Sequence, residues 1–468
     1  MKKLLAVVLS AIVLAGCSTS SRTTETTDDN GTDEVTLDGT TAVFDEATNK
    51  YLIEDGATLR FGTDDDNYGA AIVALWDETY PEHAGAVEYI NNGAAGAADL
   101  LAEQQGEYPD VFFAIDGEVP RNEAHLLAFD EHLASKVQSN SIDTFYNSAN
   151  RNNQTVYAPM TYDGMAFIWN KTMLETLGLD TTDADGDNLA DAFDTWEEIF
   201  ALAQDWQTDR PVYKDKNLNV VFPMTLENQW SDYHHLTSMG WEIFKDNDPL
   251  NPGYDDPKLA EGMQFILDAK EAKISVEESG IVTPAESMIW RWDDVLNNEL
   301  SPFGLVGTWM DVEAAQETTG SEFVISALPT YKGNNQTPFV KTKGYVISAY
   351  TQYRSAANAL VDLLYSDAGF QAMVDNSSYA PSLVDNTTIA PDMEDDGVQA
   401  SFSNGFKYNY PEPQLTLPNA PAVKAMDVYY SFISDAEKAV YSGDSSIEDA
   451  ITKLVSDSDA WYEANNVE

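Results

Sequence analysis

Cysteine and basic residues are both scarce in this chain of 468 residues. Cys17 is the only cysteine, so no internal disulfide bond can form. There are 25 Lys and Arg residues against 79 Asp and Glu residues, which gives a formal net charge of −54. This balance excludes nucleic-acid binding, because contact with phosphate groups needs a basic surface. Binding of anionic lipids or anionic solutes is disfavoured for the same reason.

Long apolar runs and common enzyme motifs are missing as well. The apolar stretch at residues 4–15 is shorter than the ~20 residues that a membrane-spanning helix needs. The chain has no HExxH zinc motif, no GxSxG nucleophile elbow and no phosphate-binding or dinucleotide loop. A pair of glycosidase carboxylates cannot be excluded in this way, since acidic residues are so abundant.

The N-terminus has the layout of a bacterial secretory signal. Lys2 and Lys3 precede the apolar stretch, and small residues follow it. Residues 14–17 (LAGC) resemble a lipobox, in which the cysteine is acylated and the peptide before it is removed. We therefore expect a signal peptide at 1–16 and a lipid on Cys17 that anchors the protein to the outer face of the cytoplasmic membrane. The alternative is an ordinary signal with a chance cysteine.

The segment after Cys17 is too polar to fold. Its composition, mostly Ser, Thr, Asp, Glu, Asn and Gly, predicts a disordered acidic tether over residues 17–45. The length that remains exceeds one ordinary core and suggests two lobes. The acidic residues are scattered over this length, which is typical of a solvated surface and is compatible with a saline habitat.

Strand and helix patterns alternate along the folded part. Apolar runs predict strands at 58–62, 110–114, 166–170, 323–329 and 344–348. Helical patterns lie between them at 68–80, 171–177, 258–272, 356–365 and 422–441. In residues 194–198 (DTWEE), Thr195 and Glu198 have the spacing of a capping box, which makes Trp196 a packing residue. This alternation predicts an α/β architecture.

Several segments, in order along the chain, resemble motifs of the family 1 extracellular solute-binding proteins, the relatives of maltose-binding protein. They are residues 108–113 (YPDVFF), 167–174 (FIWNKTML), 194–198 (DTWEE), 304–309 (GLVGTW), 327–333 (ALPTYKG) and 367–371 (DAGFQ). Each match is weak alone, but their shared order behind a lipobox is specific.

This resemblance implies a two-lobed, type II periplasmic-binding-protein fold with hinge crossovers between the lobes. The implied crossovers lie near Pro159, at 341–345 and at 379–383. The N-terminal lobe would then comprise 46–161 and 345–378. The C-terminal lobe would comprise 162–344 and 379–468, with an acidic insertion at 180–194. Hinges between rigid lobes allow closure over a ligand.

Ligand contacts are implied by the same resemblance. In this family the ligand lies between the lobes and touches aromatic rings and polar side chains. Flat rings suit the apolar face of a sugar, and fixed polar groups suit its hydroxyls. The implied contacts are Asp65, Asp66, Tyr162, Asp163, Asn228, Trp230 and Trp309. The alternative is a core role for the tryptophans and a merely solvated role for the acids.

The chain departs from the maltose-binding pattern at two places. After Phe113 the pattern has a tryptophan and an Asp-Arg pair, whereas this chain has Asp116 and no arginine. Near the C-terminus the expected stacking tryptophan is absent, and Tyr429 lies nearby. Asp116 and Tyr429 are therefore added as candidate contacts. A sugar ligand is favoured, while maltose itself is in doubt.

The acidic insertion carries a candidate calcium loop. Asp183, Asp185, Asp187, Asp191 and Asp194 occupy positions 1, 3, 5, 9 and 12 of a twelve-residue window. The backbone carbonyl of Leu189 falls at position 7 of the same window. Asn188 replaces the usual glycine, but asparagine tolerates the left-handed backbone that the turn needs. The alternative is an acidic loop without an ion.

Together these features predict a monomeric binding protein rather than an enzyme. It would capture a neutral, maltodextrin-like oligosaccharide and deliver it to the permease of an ABC importer. No cofactor is expected for this function, and any Ca²⁺ would be structural. The alternatives are a surface-anchored carbohydrate-active hydrolase and a receptor of the same fold for a non-sugar ligand. A purely structural surface lipoprotein does not explain the crossover strands.

Overall fold

The computed structural model describes residues 37, 39–218, 220–224, 226, 229–245, 248–274, 295–377, 379–383, 401–402, 405–412 and 421–465. The predicted signal peptide, Cys17 and Asn228 lie outside these ranges. So does the predicted tether as far as residue 36. No helix of the described part has the length and apolarity needed to cross a membrane.

The strands are β1 (Phe44–Asp45), β2 (Lys50–Tyr51), β3 (Leu59–Thr63), β4 (Val87–Asn91), β5 (Val111–Ile115), β6 (Asn150–Arg151), β7 (Gln154–Thr155), β8 (Ala158–Asn170), β9 (Val212–Tyr213), β10 (Lys216–Asn217), β11 (Phe303–Gly307), β12 (Phe323–Ser326), β13 (Phe339–Ile347) and β14 (Tyr410–Pro411).

The helices are α1 (Asp66–Thr79), α2 (Ala97–Gln104), α3 (Val119–Asn122), α4 (Glu131–Asn140), α5 (Asp143–Ala149), α6 (Lys171–Thr176), α7 (Trp196–Thr208), α8 (Gln229–Asp232), α9 (His234–Thr237), α10 (Pro257–Ala272), α11 (Val312–Thr319), α12 (Arg354–Leu364), α13 (Asp367–Asn376), α14 (Pro421–Ser442) and α15 (Ile447–Asn465). The predicted α/β alternation is confirmed.

One continuous sheet joins the two largest apolar cores of the described residues. Its strand order is β11-β8-β13-β5-β3-β4, with β12 also on β8 and β14 on β13. The first core contains the inner faces of β3 and β5 with α1, α4 and α12, and we call this part the N-lobe. The second core contains β11, β12, α7, α10 and α14, and we call it the C-lobe. Two cores on one sheet make a two-lobed molecule.

The long strand β8 passes from one lobe into the other. Its first half pairs antiparallel with β13, and its second half pairs with β11 and β12. A third segment runs along it, since the Tyr162 amide donates to the Ala380 carbonyl and the Ser382 amide donates to the Met160 carbonyl. The three segments expected as crossovers therefore lie side by side. Tyr379 and Leu383, assigned above to the C-lobe, pack in the N-lobe core instead.

The predicted tether, residues 17–45, extends too far, because its last residues are folded. Residues 44–45 form β1, which pairs with β2 at the surface of the N-lobe. The Val43 amide donates to the Ser355 hydroxyl at 3.0 Å. Apolar Ala42 and Phe44 pack against the N-lobe core, so folded structure begins before residue 46.

The start of α7 has the local structure that its sequence predicts. The Thr195 side chain accepts from the Glu198 amide, and the Glu198 carboxylate accepts from the Thr195 amide at 3.0 Å. This capping box satisfies two amides that the first helical turn leaves free. Trp196 is fully buried beside Phe222 and Phe265, so its packing role is confirmed.

Candidate ligand-binding site

Four charged side chains line up where β8 and β13 cross between the lobes. Asp163 of β8 is the register partner of Lys341 of β13. Because alternate residues of a strand point to the same face, Lys343 lies beside Lys341. The Lys341 Nζ is 3.6 Å from Asp163, and the Lys343 Nζ is 3.9 Å from Asp163 and 3.7 Å from Asp64. We call this alternating set (Asp64, Lys343, Asp163, Lys341) the charge row.

The lysines of the charge row are largely shielded from solvent. The Lys341 side chain is 19% exposed and that of Lys343 is 10% exposed. Burial lowers the pKa of Lys341, but the carboxylates of Asp163, Glu412 and Asp116 outweigh burial and raise it overall. Lys341 therefore stays charged at neutral pH, beside the carboxylates of Asp163 and Glu412.

The loop after β3 contributes Asp64 to the charge row. The Tyr379 hydroxyl donates to Asp64 Oδ1 at 2.5 Å, and Lys343 lies over the Tyr379 ring at 5.2 Å. Burial and the neighbouring Asp64 carboxylate raise the pKa of Tyr379 well above its usual range. The tyrosine thus remains a neutral donor that fixes Asp64 in place.

Asp65 and Asp66, the two acids of this loop predicted to bind ligand, instead accept hydrogen bonds from nearby residues. Asp65 caps α1, because its carboxylate accepts from the amides of Asn67 and Tyr68 at 2.9 Å. Asp66 accepts from the Tyr89 hydroxyl at 2.8 Å and from the side-chain amide of Asn91, at the end of β4, at 2.6 Å. Both carboxylates therefore accept local hydrogen bonds, whereas their neighbour Asp64 faces Lys343.

Two tryptophans lie next to the charge row on the C-lobe side. The rings of Trp230 and Trp309 are 5.9 Å apart at an angle of 41°. Lys341 Nζ lies 4.6 Å from the Trp230 ring centre, a cation–π contact. Trp309 is 42% exposed, so it is not a core residue in this conformation. The pair offers an aromatic surface directly beside the charged groups.

Gly307 gives Trp309 its position. This glycine ends β11, and a Cβ placed on it would lie 2.5 Å from the Trp309 ring. The indole therefore lies flat against the backbone at the strand end. Any larger residue at position 307 would push the ring away.

Asp116 is buried against the hinge strand β13. It is fully buried, and its Oδ2 accepts from the Thr342 amide at 2.5 Å and from the Thr342 hydroxyl at 3.0 Å. Burial, then the nearby Glu412 carboxylate, raises the pKa of Asp116 to about 8. The carboxyl is therefore protonated at neutral pH. In this conformation it supports β13 and is not exposed to a ligand.

The other predicted contacts, Tyr162 and Tyr429, lie among aromatic side chains. Tyr162 is partly buried between the rings of Phe145 and Phe406, on the face of β8 opposite Asp163. Tyr429 is fully buried in the C-lobe core, where its hydroxyl donates to the Gln229 carbonyl at 2.6 Å. Its ring is enclosed because position 429 lies on the side of α14 that faces the C-lobe core.

Sequence reasoning missed the residues at the centre of this arrangement, namely Asp64, Lys341, Lys343 and Tyr379. One signal was available for the lysines. They stand two apart in a strand pattern within a strongly acidic chain, and two buried cations on one strand face need acidic partners. The identity of those partners depended on which distant segments β13 would lie against.

The family can now be stated. Residues 86–397 match the model of a family described as bacterial extracellular solute-binding protein. This chain belongs to that family. The matched region contains β8, β13, the charge row apart from Asp64, and both tryptophans. No protein with a curated record is detectably similar to the chain in sequence.

Solved structures of other solute-binding proteins have the same fold. A cyclo/maltodextrin-binding protein in complex with maltotetraose has a TM-score of 0.65 at 16% identity, over 86% of this chain and 97% of its own. The maltose-binding periplasmic protein of Listeria monocytogenes with maltose has a TM-score of 0.68 at 16% identity, over 88% and 99%. The expected two-lobed periplasmic-binding-protein fold is thereby confirmed. At this identity the likeness establishes the fold alone.

The acidic insertion of this solute-binding protein forms a compact loop. Carboxylate oxygens of Asp183, Asp185 and Asp187 lie within 4.8 Å of one another. Asp183 accepts from the Gly186 amide at 2.7 Å and from the Asn188 amide at 3.0 Å, so the backbone wraps around it. Asn188 has a φ of +68°, the left-handed conformation expected at that position.

More carboxylates adjoin this cluster. The Asp191 carboxylate accepts from the Ala184 amide at 2.9 Å and thereby closes the loop. Burial and the charges of Asp187, Asp185 and Asp191 raise the pKa of Asp194 to about 6. Asp194 Oδ1 is buried without a hydrogen-bond partner among the described residues. The donor set is hard oxygen only and fits Ca²⁺.

Two cavities lie away from the charge row and the two tryptophans. One of about 700 Å³ lies between α10 and α15 on the C-lobe, and one of about 400 Å³ lies near Arg60 and Tyr353 on the N-lobe. Neither is lined by a residue of the charge row or by Trp230 or Trp309. They are surface features outside the candidate ligand site.

Proposed function

We propose that this protein is the substrate-binding lipoprotein of an ABC importer. It captures a neutral oligosaccharide of the maltodextrin type between its lobes and delivers it to the permease. The observation that carries the proposal is the pairing of an aromatic surface (Trp230 and Trp309) with the charge row at the crossing of the two lobes.

The aromatic surface suits the apolar face of a sugar ring. Trp309 is partly exposed and Trp230 lies beside it at a moderate angle, so successive rings of a chain-like ligand can each lie on an indole. The charge row provides fixed donors and acceptors next to this surface, as ligand orientation requires. The maltodextrin and maltose complexes of similar fold support the same ligand class.

The charges of the site favour a neutral ligand. The charge row contains as many ammonium groups as carboxylates, so a charged ligand would leave one charge without a partner in a shielded place. The net charge of −54 also repels anionic ligands at long range.

Calorimetric titration with maltose, maltotriose and maltotetraose tests the proposal. Trp309→Ala removes a stacking ring worth about 1.5–3 kcal/mol, so we expect affinity to fall roughly tenfold to a hundredfold. Trp461→Ala, in α15, is the matched control and should bind like the parent. Equal affinity of parent and Trp309→Ala would place the sugar elsewhere.

Two alternatives are distinguished by the same material. If only amino acids, peptides or polyamines raise the melting temperature, the protein is a receptor for a non-sugar ligand. Chromatography of maltotetraose after long incubation tests for a hydrolase, which would shorten the oligosaccharide. We expect the sugar to be recovered intact.

The membrane anchor is part of the proposal. Acylation of Cys17 would hold the protein at the outer face of the cytoplasmic membrane, where it meets both the solute and the permease. We expect Cys17→Ser to abolish precursor processing or to release the protein from membranes. A Cys17→Ser protein that is processed and stays with membranes as the parent does would contradict lipidation.

We also propose that the loop at 183–194 binds a structural Ca²⁺. Asp183, Asp185 and Asp187 would provide the first oxygens, with the Leu189 carbonyl, Asp191 and Asp194 completing the set. The ion would neutralise crowded carboxylates and brace the approach to α7. It would take no part in sugar binding.

A further inference from the structure

The spacing of the charge row differs from that of closed ion pairs. Its nitrogen–oxygen distances are 3.6, 3.9 and 3.7 Å, whereas a direct N–H···O hydrogen bond measures about 2.7–3.2 Å. Each ammonium group therefore faces its carboxylates across a gap slightly too long for a direct bond. Asp64 is the end of the row that is fixed independently, by Tyr379.

A hydroxyl group placed beside such a pair can bond to both of its members. A hydroxyl accepts a hydrogen bond from an ammonium group and donates one to a carboxylate at the same time. Bonds to charged groups are the stronger ones, so a hydroxyl that lies alongside the row and bonds to neighbouring charges is held favourably. Neighbouring hydroxyls on a sugar ring repeat this dual character along the ring edge, as the charge row repeats its charges along the hinge.

The tryptophans set the orientation of that ring. Lys341 lies over Trp230, so the row begins at the edge of the aromatic surface. A ring stacked on the tryptophans presents its hydroxyl edge sideways, toward β13. Apolar contact and hydroxyl contact are thus made by the same ring.

We propose that Lys341 and Lys343 determine ligand specificity by binding, together with Asp163 and Asp64, adjacent hydroxyls of a neutral sugar ring. This inference rests on the proposed function, since it assumes a carbohydrate ligand. Asp64 belongs to the N-lobe and the two tryptophans lie on the C-lobe side, so a ring that contacts all three links the lobes.

Lys343→Met is the preferred variant. Lys341 lies among the acidic groups of Asp163, Glu412 and Asp116, so its loss would disturb several buried groups at once. Among the ion pairs of the described residues, Lys343 takes part only in those with Asp64 and Asp163. Lys50→Met, where Lys50 lies over Tyr80 on the N-lobe surface, is the matched control. Melting curves of each variant establish that it is folded.

Titration of each protein with maltotriose and with its monodeoxy analogues tests the inference. We expect Lys343→Met to lose at least tenfold in affinity for maltotriose, and Lys50→Met to lose none. For the analogue that lacks the contacted hydroxyl, Lys343→Met and the parent should bind equally, because that bond is already gone.

Two results overturn the inference. One is parent-like affinity of Lys343→Met for maltotriose. The other is the same fold-loss for every deoxy analogue, which would mean a general structural effect. Both leave the proposed function intact as long as the parent binds the sugar. Failure of every oligosaccharide to bind the parent would refute the proposed function itself.

Discussion

At the residue scale, the carboxyl of Asp116 is unusual because only one of its oxygens is bonded. Thr342 donates twice to Oδ2, and Oδ1 has no hydrogen-bond partner among the described residues. Ionised, this group would be a buried charge facing Glu412, with Tyr157 and Tyr430 close by and only Lys341 in compensation. Protonation removes that cost.

The protonated state of Asp116 predicts a pH dependence of stability. Its pKa is about 8 in the folded protein against 3.8 as the usual value, so the native state binds the extra proton between these pH values. The free energy of unfolding should therefore fall as pH rises through this window, by up to about 1.4 kcal/mol per pH unit. Asp116→Asn, which cannot ionise, should lack this decline and be more stable than the parent at pH 9.

Denaturant unfolding at several pH values measures the effect. Asp55→Asn, which changes an exposed aspartate, is the control and should follow the parent. Parallel profiles of Asp116→Asn and the parent would mean that Asp116 is ionised in the folded protein.

Gly307 gives a second prediction at this scale. Gly307→Ala places a methyl group 2.5 Å from the Trp309 ring, and the exposed indole can swing away at little cost in stability. We expect a nearly unchanged melting temperature but weaker binding of maltotriose, because the stacking surface is displaced. Gly320→Ala, at the end of α11, is a useful contrast, since its left-handed φ of +70° predicts lost stability without lost affinity. Unchanged affinity of Gly307→Ala would separate Trp309 from the ligand.

At the element scale, the loop at 183–194 predicts a calcium effect on stability. After EDTA treatment, millimolar CaCl₂ should raise the melting temperature, since an ion that binds only the folded state stabilises it by mass action. At a hundred times the dissociation constant this amounts to about 2.7 kcal/mol. Asp185→Ala with Asp187→Ala should abolish the rise.

Two controls isolate the loop from general charge screening. MgCl₂ at the same ionic strength should have a smaller effect, because Mg²⁺ fits a flexible oxygen-rich loop less well. Asp55→Ala should keep the full calcium response. If the parent melts at the same temperature in EDTA and in CaCl₂, the loop does not bind Ca²⁺.

At the scale of the whole molecule, the net charge of −54 predicts that stability depends on salt concentration. Like charges repel across the surface, and the Debye length shrinks from about 30 Å at 0.01 M salt to about 10 Å at 0.1 M. We expect the melting temperature to rise steeply over this range and then to level off. KCl and NaBr should reproduce the rise seen in NaCl, because screening depends on ionic strength. A rise that follows ion identity instead would point to specific ion binding.

The sequence by itself determined the local structure and the class of fold. Periodicity placed α1, α6, α10, α12 and α14, the strands β3, β5, β12 and β13 and the end of β8 near their observed positions, because apolar spacing is a local property. The capping box at Thr195 and the left-handed Asn188 followed from residue type alone. The order of six short motifs along the chain predicted the solute-binding family.

Tertiary structure decided which polar residues meet. The register of β8 against β13 brings Lys341 to Asp163, and the third crossing segment brings Tyr379 to Asp64. These partners are far apart in the chain, so no local pattern could select Asp64 over its neighbours Asp65 and Asp66. Burial likewise turned Asp116 and Tyr429 from expected ligand contacts into interior groups. Charge pairing and burial depend on distances between segments, and only the folded chain fixes those distances.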